Sequence, residues 1–100
     1  MNEYMLLMHQ DAPDRNTADN SERWARYLEK LRATGRFDGG SSMGHGERLR
    51  KNQASQPSQN DIEGFIRIRA DSLEDAKQFL EGNPVYEAGG TVEIRELPRT

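Results

Sequence analysis

The sequence predicts an α+β fold in which two helices cover one face of a four-stranded antiparallel sheet. Two observations predict it. A strand-like stretch over residues 62–70 runs directly into a helix-capping signal, and the order strand, helix, strand occurs once in each half of the chain. Right-handed crossovers then place the first and third strands at the centre of the sheet. This is the ferredoxin-like arrangement, formed by a single domain over residues 1–100.

The third strand, residues 62–70, has the clearest pattern. Because side chains alternate across a strand, its two faces differ in chemistry. One face is apolar and is expected to lie under the helices; it carries Ile62, Gly64, Ile66, Ile68 and Ala70. The other face combines an aromatic ring with charges and carries Glu63, Phe65, Arg67 and Arg69. The second face therefore suits a surface that is shielded from bulk water but not dry.

The second helix is predicted to begin directly after this strand. Ser72 and Asp75 have the spacing of a capping box, in which the first side chain caps the helix. An apolar stripe at helical spacing follows, formed by Leu73, Ala76, Phe79 and Leu80. Gly82-Asn83-Pro84 is expected to end the helix, since glycine tolerates the left-handed cap and proline cannot continue a helix. Residues 85–90 are then expected to form a turn.

The N-terminal half supplies the first strand and the first helix. Residues 4–8 form a short apolar run whose length favours a strand buried on both sides. Residues 11–20 are predicted to form a loop. Ser21 or Asn20 can cap the helix that follows, and Gly35 can end it. The core side of this helix is predicted to carry Trp24, Tyr27, Leu28 and Leu31.

The remaining strands flank a polar segment. Phe37 begins a strand-like stretch, and Gly39-Gly40 within it indicates a bulge or a close approach by backbone or ligand. Residues 44–61 are almost wholly polar and predict a mobile loop whose edges are paired. The last strand, residues 91–97, alternates cleanly, with Val92 and Ile94 on one side and Glu93, Arg95 and Leu97 on the other.

Composition excludes several classes of function. The chain has 14 basic and 17 acidic residues in 100 and no basic stripe, so nucleic-acid binding is not expected. The absence of cysteine excludes disulfides, thiolate zinc sites and cysteine nucleophiles. No apolar run approaches the roughly 20 residues that a membrane span needs, and no secretion signal is recognisable at the N-terminus. A soluble cytoplasmic protein without a membrane partner is expected.

The predicted sheet has one face without cover, and this face predicts both a partner and a ligand. An exposed sheet face that carries aromatic and aliphatic groups marks an interaction surface. Two copies packed face to face would cover it and enclose a cleft, which predicts a homodimer. Arginine binds carboxylates and phosphates with two parallel hydrogen bonds, so an acidic small molecule is the expected ligand. The predicted ligand-binding residues are Phe65, Arg67, Arg69, Glu93 and Arg95. The alternative is a ladder of cross-strand Arg–Glu pairs that needs no ligand.

His9 and Asp11 are the candidate catalytic residues, because an aspartate can orient and stabilise an imidazole that takes a proton. The alternative is a solvated strand end. His45 lies between two glycines, and with His9, Asp11 and Glu93 it could provide metal ligands, but the spacing forms no metal motif. Gly39-Gly40 lacks the lysine and the helix of a phosphate-binding loop. The sequence therefore predicts neither a metal site nor a cofactor.

Several stretches resemble the YCII-related (DGPF) family. These are Tyr4-Met5-Leu6-Leu7-Met8, Trp24, Tyr27-Leu28, Gly35, Gly39-Gly40, Glu63-Gly64-Phe65, residues 72–76, Asn83-Pro84 and residues 89–97. The resemblance covers nearly the whole chain except residues 44–61, and it implies a dimeric α+β barrel of ferredoxin-like protomers. The Asp-Gly-Pro-Phe signature is missing, and residues 54–61 occupy its place.

The resemblance also bears on chemistry. Family members with a proposed catalytic His-Asp pair carry the histidine on the first helix and the aspartate just before the proline that follows the second helix. Those positions hold Trp24 and Asn83 here, and neither does acid–base work at neutral pH. Three functions stay open: a small-molecule binding module in a dimer cleft, an enzyme that uses His9 as a general base in that cleft, and a regulatory protein-interaction module.

Overall fold

The computed structural model describes residues 1–58 and 61–99. The elements follow in the order β1 (Asn2–His9), α1 (Arg15–Ala18), α2 (Ser21–Ala33), β2 (Phe37–Ser42), β3 (Glu47–Arg48), β4 (Gln56–Pro57), β5 (Ile62–Ala70), α3 (Leu73–Ala76), a 3-10 turn (Lys77–Leu80), α4 (Pro84–Glu87) and β6 (Val92–Leu97). The main sheet has the strand order β2-β5-β1-β6, and all its pairs are antiparallel. The predicted α+β architecture with a four-stranded sheet is confirmed.

The two faces of the sheet differ in burial as the alternation along β5 predicts. Ile66, Ile68 and Ala70 are buried beneath the helices, whereas Arg67 between them is exposed. The core also contains Tyr4, Leu6, Met8, Tyr27, Leu31, Phe79 and Val85. The prediction that β1 is buried on both sides is wrong for a single chain. Its alternate residues are only half-buried, since all the helices lie on the opposite face.

Helix α2 begins and ends where its capping signals predict. The Asn20 side chain accepts a hydrogen bond from the Arg23 amide at 2.9 Å, so Asn20 is the cap and Ser21 is the first helical residue. Gly35 follows the helix with φ of 72°, a conformation that glycine adopts without steric cost.

Two short helices occupy stretches predicted as loop and turn. α1 lies within residues 11–20, where the Asp14 side chain accepts a hydrogen bond from the Thr17 amide at 3.1 Å. α4 begins at Pro84, with Asn83 as its cap, and extends into the stretch 85–90 predicted as a turn. Both predictions were wrong because each helix is a single turn, too short to show an apolar period. Gly82-Asn83-Pro84 does end the preceding helix, but it also begins α4.

The predicted second helix is one α-helical turn followed by a 3-10 turn. Ser72 Oγ accepts from the Asp75 amide at 3.0 Å, as the capping box predicts, but the Asp75 carboxylate accepts from the Asp71 amide at 2.9 Å. Leu73 is 49% exposed, so its place in the predicted core stripe is wrong. Because the helix tightens after one turn, the stripe is fully buried only at Ala76 and Phe79.

The polar segment 44–61 contains a small hairpin formed by β3 and β4, in which Glu47 pairs with Pro57 and Arg48 pairs with Gln56. The predicted pairing within this segment is therefore observed, and its mobility stays a prediction. Residues 59 and 60 of the segment lie outside the described residues. Among the described residues, no helix has the length and apolar character needed to cross a bilayer.

Candidate functional site

A cavity of about 450 Å³ lies between α2 and the β2–β5 edge of the sheet. Its apolar wall is formed by Met8, Trp24, Leu28, Phe37, Phe65 and Ile66. Its polar groups are fewer and come from Asp19, Arg32, Ser41, Ser42 and Glu63. A concave, mostly apolar site with a few polar groups is the usual form of a small-molecule site.

The cavity exists because β2 carries small residues where it faces the helix. Gly40 and Ser42 pair with Ile66 and Gly64 of β5, on the face that α2 covers. A Cβ atom on Gly40 would lie 2.3 Å from the Phe65 carbonyl oxygen, so only glycine fits there. The register between Phe37 and Gly40 is irregular, which confirms the predicted bulge and close backbone approach. Small side chains on β2 leave the space beneath α2 unfilled.

Trp24 forms a fixed part of the cavity wall. Its indole Nε1 donates a hydrogen bond to the Ala18 carbonyl oxygen at 2.7 Å. Its ring meets the Tyr27 ring edge-on, with 5.9 Å between the centroids. Trp24 is partly buried against the core, and as the chain's single tryptophan it is a natural probe of the cavity.

Charged groups at the cavity are balanced in sign. Arg15 Nη2 lies 2.9 Å from Glu63 Oε2 and 2.9 Å from Asp19 Oδ1, so one guanidinium holds two lining carboxylates. The hydrogen bond with Glu63 is the main cause that raises the pKa of Arg15. The guanidinium carbon of Arg32 lies 5.7 Å from the centre of the Phe37 ring. Two carboxylates and two guanidinium groups leave no net charge.

Sequence reasoning missed Arg15 and Asp19, because both lie in the stretch predicted as a loop. The signal that could have found α1 is Asp14 with Thr17 three residues later, a capping pattern in a polar context. The contact between Arg15 and Glu63 joins residues 48 apart in sequence, and no local pattern announces it.

The predicted ligand-binding arginines lie on the open face of the sheet, and each contacts a carboxylate. Arg67 lies 3.4 Å from Glu3, Arg69 lies 3.0 Å from Asp38, and Arg95 lies 3.0 Å from Glu93. This geometry matches the alternative of Arg–carboxylate pairs across and along the strands. Exposed pairs of this kind contribute roughly 0–1 kcal/mol each. Of the predicted ligand-binding residues, only Phe65 lines the large cavity.

The candidate catalytic residues His9 and Asp11 have different partners. His9 Nε2 lies 3.1 Å from Glu93 Oε1, across the β1–β6 pair. The Asp11 carboxylate instead accepts hydrogen bonds from the Thr91 hydroxyl at 2.6 Å and the Thr91 amide at 2.7 Å. These bonds are the main causes that lower the pKa of Asp11. The carboxylate that orients His9 is therefore Glu93, 84 residues away in sequence.

Glu93 connects His9 to the row of charges on the open face. Its other oxygen, Oε2, accepts a hydrogen bond from Arg95 at 3.0 Å. The hydrogen bond from His9, followed by that from Arg95, lowers the pKa of Glu93. An imidazole beside an ionised carboxylate has the arrangement that general-base catalysis uses.

Asn83, at the position that the resemblance aligns with the proposed catalytic aspartate of some family members, has a structural role. It is fully buried, and its side-chain oxygen accepts hydrogen bonds from the Val85 and Tyr86 amides at 3.0 and 3.1 Å. The nearby Tyr27 hydroxyl donates to the Phe79 carbonyl oxygen at 2.6 Å, and burial raises the pKa of Tyr27 to about 12.

His45 lies at a second, smaller cavity of about 270 Å³, which shares Glu63 with the large one. Gln10, Met43 and Ile62 also line it. Across residues 1–58 and 61–99, no three His, Asp or Glu side chains lie close enough together to hold a metal ion.

Comparison with known proteins identifies the family. The family model for the YCII-related domain matches residues 3–99, and the chain belongs to this family although it lacks the Asp-Gly-Pro-Phe signature. No curated protein matches the chain. Among solved structures, the chain is similar to 5-chloro-2-hydroxyhydroquinone dehydrochlorinase (TftG) from Burkholderia phenoliruptrix AC1100 in complex with 2,5-dihydroxybenzoquinone. The TM-score is 0.61 at 18% identity, over 100% of this chain and 96% of that chain. This likeness shows the fold.

Proposed function

We propose that this member of the YCII-related family binds a small molecule with an aromatic or quinone ring in the cavity beneath α2. The observation that carries the proposal is the cavity itself. Its volume of about 450 Å³ falls within the roughly 300–1,000 Å³ of small-molecule sites. Trp24 and Phe37 offer aromatic surface to a flat ligand, and ring pairs of this kind are favourable beyond the area that they bury.

The charge balance of the cavity favours an uncharged ligand over the acidic one that the arginine pattern predicts. Arg15 contacts Asp19 and Glu63 through Nη2, and Arg67, Arg69 and Arg95 have carboxylate partners elsewhere. An anion would bring a further negative charge close to two lining carboxylates, and a buried charge without a partner is costly. A neutral ring with polar substituents meets no such penalty.

The test uses the indole N–H signal of Trp24 in a ¹⁵N–¹H NMR spectrum, which this single tryptophan makes unambiguous. The probes are hydroquinone, which is neutral at pH 7, and 2,5-dihydroxybenzoquinone, which is anionic and is the ligand of the similar structure. Hydroquinone is expected to shift the signal saturably and at lower concentration than the anionic quinone. Tighter binding of the anion would favour the acidic ligand instead.

A pair of variants locates the site. Ser42→Leu places a large side chain in the cavity from an exposed strand residue, so binding should be lost while the fold is kept. Ser55→Leu makes the same change at an exposed residue that lines neither cavity, and it should bind as the unmodified protein does. Equal binding by both variants would contradict this location.

A second candidate function is catalysis with His9 as the general base, favoured by the contact of 3.1 Å between His9 and Glu93. Glu93 orients the ring through Nε2, and Nδ1 is the nitrogen that would take the proton. His9 lies on the open face of the sheet, so a second copy packed on that face would shield the reaction from water. The homodimer is part of this proposal.

The enzyme proposal is tested by release of chloride from 5-chloro-2-hydroxyhydroquinone, the compound named for the similar structure. Turnover should be lost in His9→Ala, whereas Asp11→Asn should keep it. Sedimentation at micromolar concentration should show a dimer. A monomer, or a rate unaffected by His9→Ala, would remove this candidate.

A further inference from the structure

We infer that Glu63 determines ligand specificity in the large cavity, and that the ligand belongs to the hydroxylated aromatic class, with a ring hydroxyl that donates a hydrogen bond to this carboxylate. The inference rests on the proposed function and adds the chemical class of the ligand and the residue that selects it.

The backbone holds Glu63 at an irregular point of the sheet. Met8 pairs with Gly64 and His9 pairs with Ile62, so the β1–β5 register skips Glu63. Such a bulge leaves one residue unpaired and redirects its side chain, and bulges are common beside binding sites. The Glu63 carbonyl oxygen accepts a hydrogen bond from the Met43 amide at 2.9 Å, which ties it to the end of β2.

The Glu63 side chain is held by one oxygen only. Arg15 Nη2 lies 2.9 Å from Oε2, and the side chain is 22% exposed. Within the described part of the chain, no protein donor bonds to Oε1. A carboxylate accepts through both oxygens, and a half-buried one with an unused oxygen favours a ligand that brings a donor.

The other groups at the cavity decide the type of donor. A ring ammonium would lie near the guanidinium groups of Arg15 and Arg32, and a ring carboxylate would face Glu63 and Asp19. A ring without a donor would desolvate the Glu63 carboxylate and give it nothing in return. A ring hydroxyl carries no positive charge, carries no negative charge and supplies a donor, so it is the substituent that suits this cavity.

The experiment compares two rings of similar size on the full chain by calorimetry: hydroquinone, which has donors, and 1,4-difluorobenzene, which has none. Hydrogen bonds to charged groups predict that hydroquinone binds about tenfold or more tightly. The greater hydrophobicity of the fluorinated ring works against this outcome. Equal affinity for the two rings would overturn the inference and leave the proposed function standing, whereas no binding of either ring would end both.

A substitution tests whether Glu63 causes the preference for hydroquinone over 1,4-difluorobenzene. Glu63→Gln keeps the shape but removes the charge, so the hydroquinone preference should fall to about threefold or less. Glu47→Gln, the same change at an exposed residue of β3, should keep it. A preference that survives Glu63→Gln would overturn the assignment. If Glu63→Gln does not fold, the comparison of the two rings on the unmodified protein still decides the ligand class.

Discussion

The two faces of the sheet differ in composition, although alternate residues of the same strands form them. One face is apolar and covered by helices, and the other is charged and open. On the helix-covered face, Leu6 and Ile68 are fully buried, and a gap remains where β2 presents Gly40 and Ser42. On the open face, charges are concentrated but already paired, as in the contact of Arg95 with Glu93. The comparison shows that a cavity can form where a strand carries small residues and leaves space unfilled. A row of arginines, in contrast, can be fully used in contacts with carboxylates of the same sheet.

The largest expected difference between the two faces is in the stability lost when neighbouring leucines on β1 are replaced by alanine. Leu6 is fully buried, and Leu6→Ala should destabilise the protein by about 2–5 kcal/mol through lost contacts and a new cavity. Leu7 is half-buried on the open face, and Leu7→Ala should cost about 1 kcal/mol in a single chain. Urea denaturation of the two variants measures both values.

The same pair of variants tests the homodimer. If a second copy covers the open face, the loss caused by Leu7→Ala should grow with protein concentration, because association stabilises the folded state by mass action. The loss caused by Leu6→Ala should depend on concentration less. Equal costs at every concentration would mean that the two faces are not different environments.

A slightly smaller effect is expected at alkaline pH from Tyr27 in the covered core. Its pKa of about 12, against an ordinary value of 10.0, means that the folded state keeps the proton longer than the unfolded state. The stabilisation is complete below pH 10 and is lost as the pH rises from 10 to 12, by about 2–3 kcal/mol. Denaturation at a series of pH values should show this loss.

Tyr27→Phe should remove that pH dependence, and it should also lower stability at neutral pH because the Phe79 carbonyl oxygen loses its donor. Tyr86→Phe, at a residue that is 48% exposed, is the matched control and should keep the alkaline loss. An alkaline loss that persists in Tyr27→Phe would show that another group causes it.

The sequence was sufficient for the sheet, because alternation along a strand is a local property. Ile66 and Ile68 on one side and Arg67 on the other predict which face the helices cover, and the structure agrees. Asn20 and Ser72 likewise announce their helices, since a cap acts within a few residues. The single-turn helices α1 and α4 are too short for a periodic pattern, so they were missed.

The candidate site was beyond sequence reasoning for two physical reasons. The partner of His9 is Glu93, and only the register of β1 against β6 brings them together. The cavity depends on volume that Gly40 and Ser42 do not fill. Small residues in a strand do not by themselves predict which element packs against them or how much space is left. The arginine pattern predicts binding groups, but Arg67 and Arg69 have carboxylate partners on other strands, Glu3 on β1 and Asp38 on β2.

A further prediction concerns Gly40, the β2 residue that lines the cavity beneath α2. In Gly40→Ala, the added methyl group would meet the Phe65 carbonyl oxygen at 2.3 Å, so β2 must shift, at a cost of about 1–3 kcal/mol. The shift should also weaken ring binding. Gly44→Ala, where nothing lies within 4 Å, is the control and should change stability by less than about 0.5 kcal/mol. Thermal denaturation compares the two variants, and equal midpoints would contradict the close approach.

The smallest effect lies on the open face and concerns the pKa of Glu93, which hydrogen bonds from His9 and Arg95 hold below the ordinary value of 4.5. A lowered pKa stabilises the folded state above the ordinary value, and that stabilisation is lost as the pH falls through the lowered one. His9→Gln should raise the pKa of Glu93, measured by NMR of its carboxyl carbon, and Arg95→Gln should raise it less.

Asp11 provides the internal control in the same spectra. Its pKa is lowered mainly by hydrogen bonds from Thr91, and His9 is the last of the causes, so His9→Gln should leave it almost unchanged. A larger shift at Asp11 than at Glu93 would make Asp11 the partner of His9. That outcome would replace Glu93 with Asp11 as the carboxylate that orients the base proposed for catalysis.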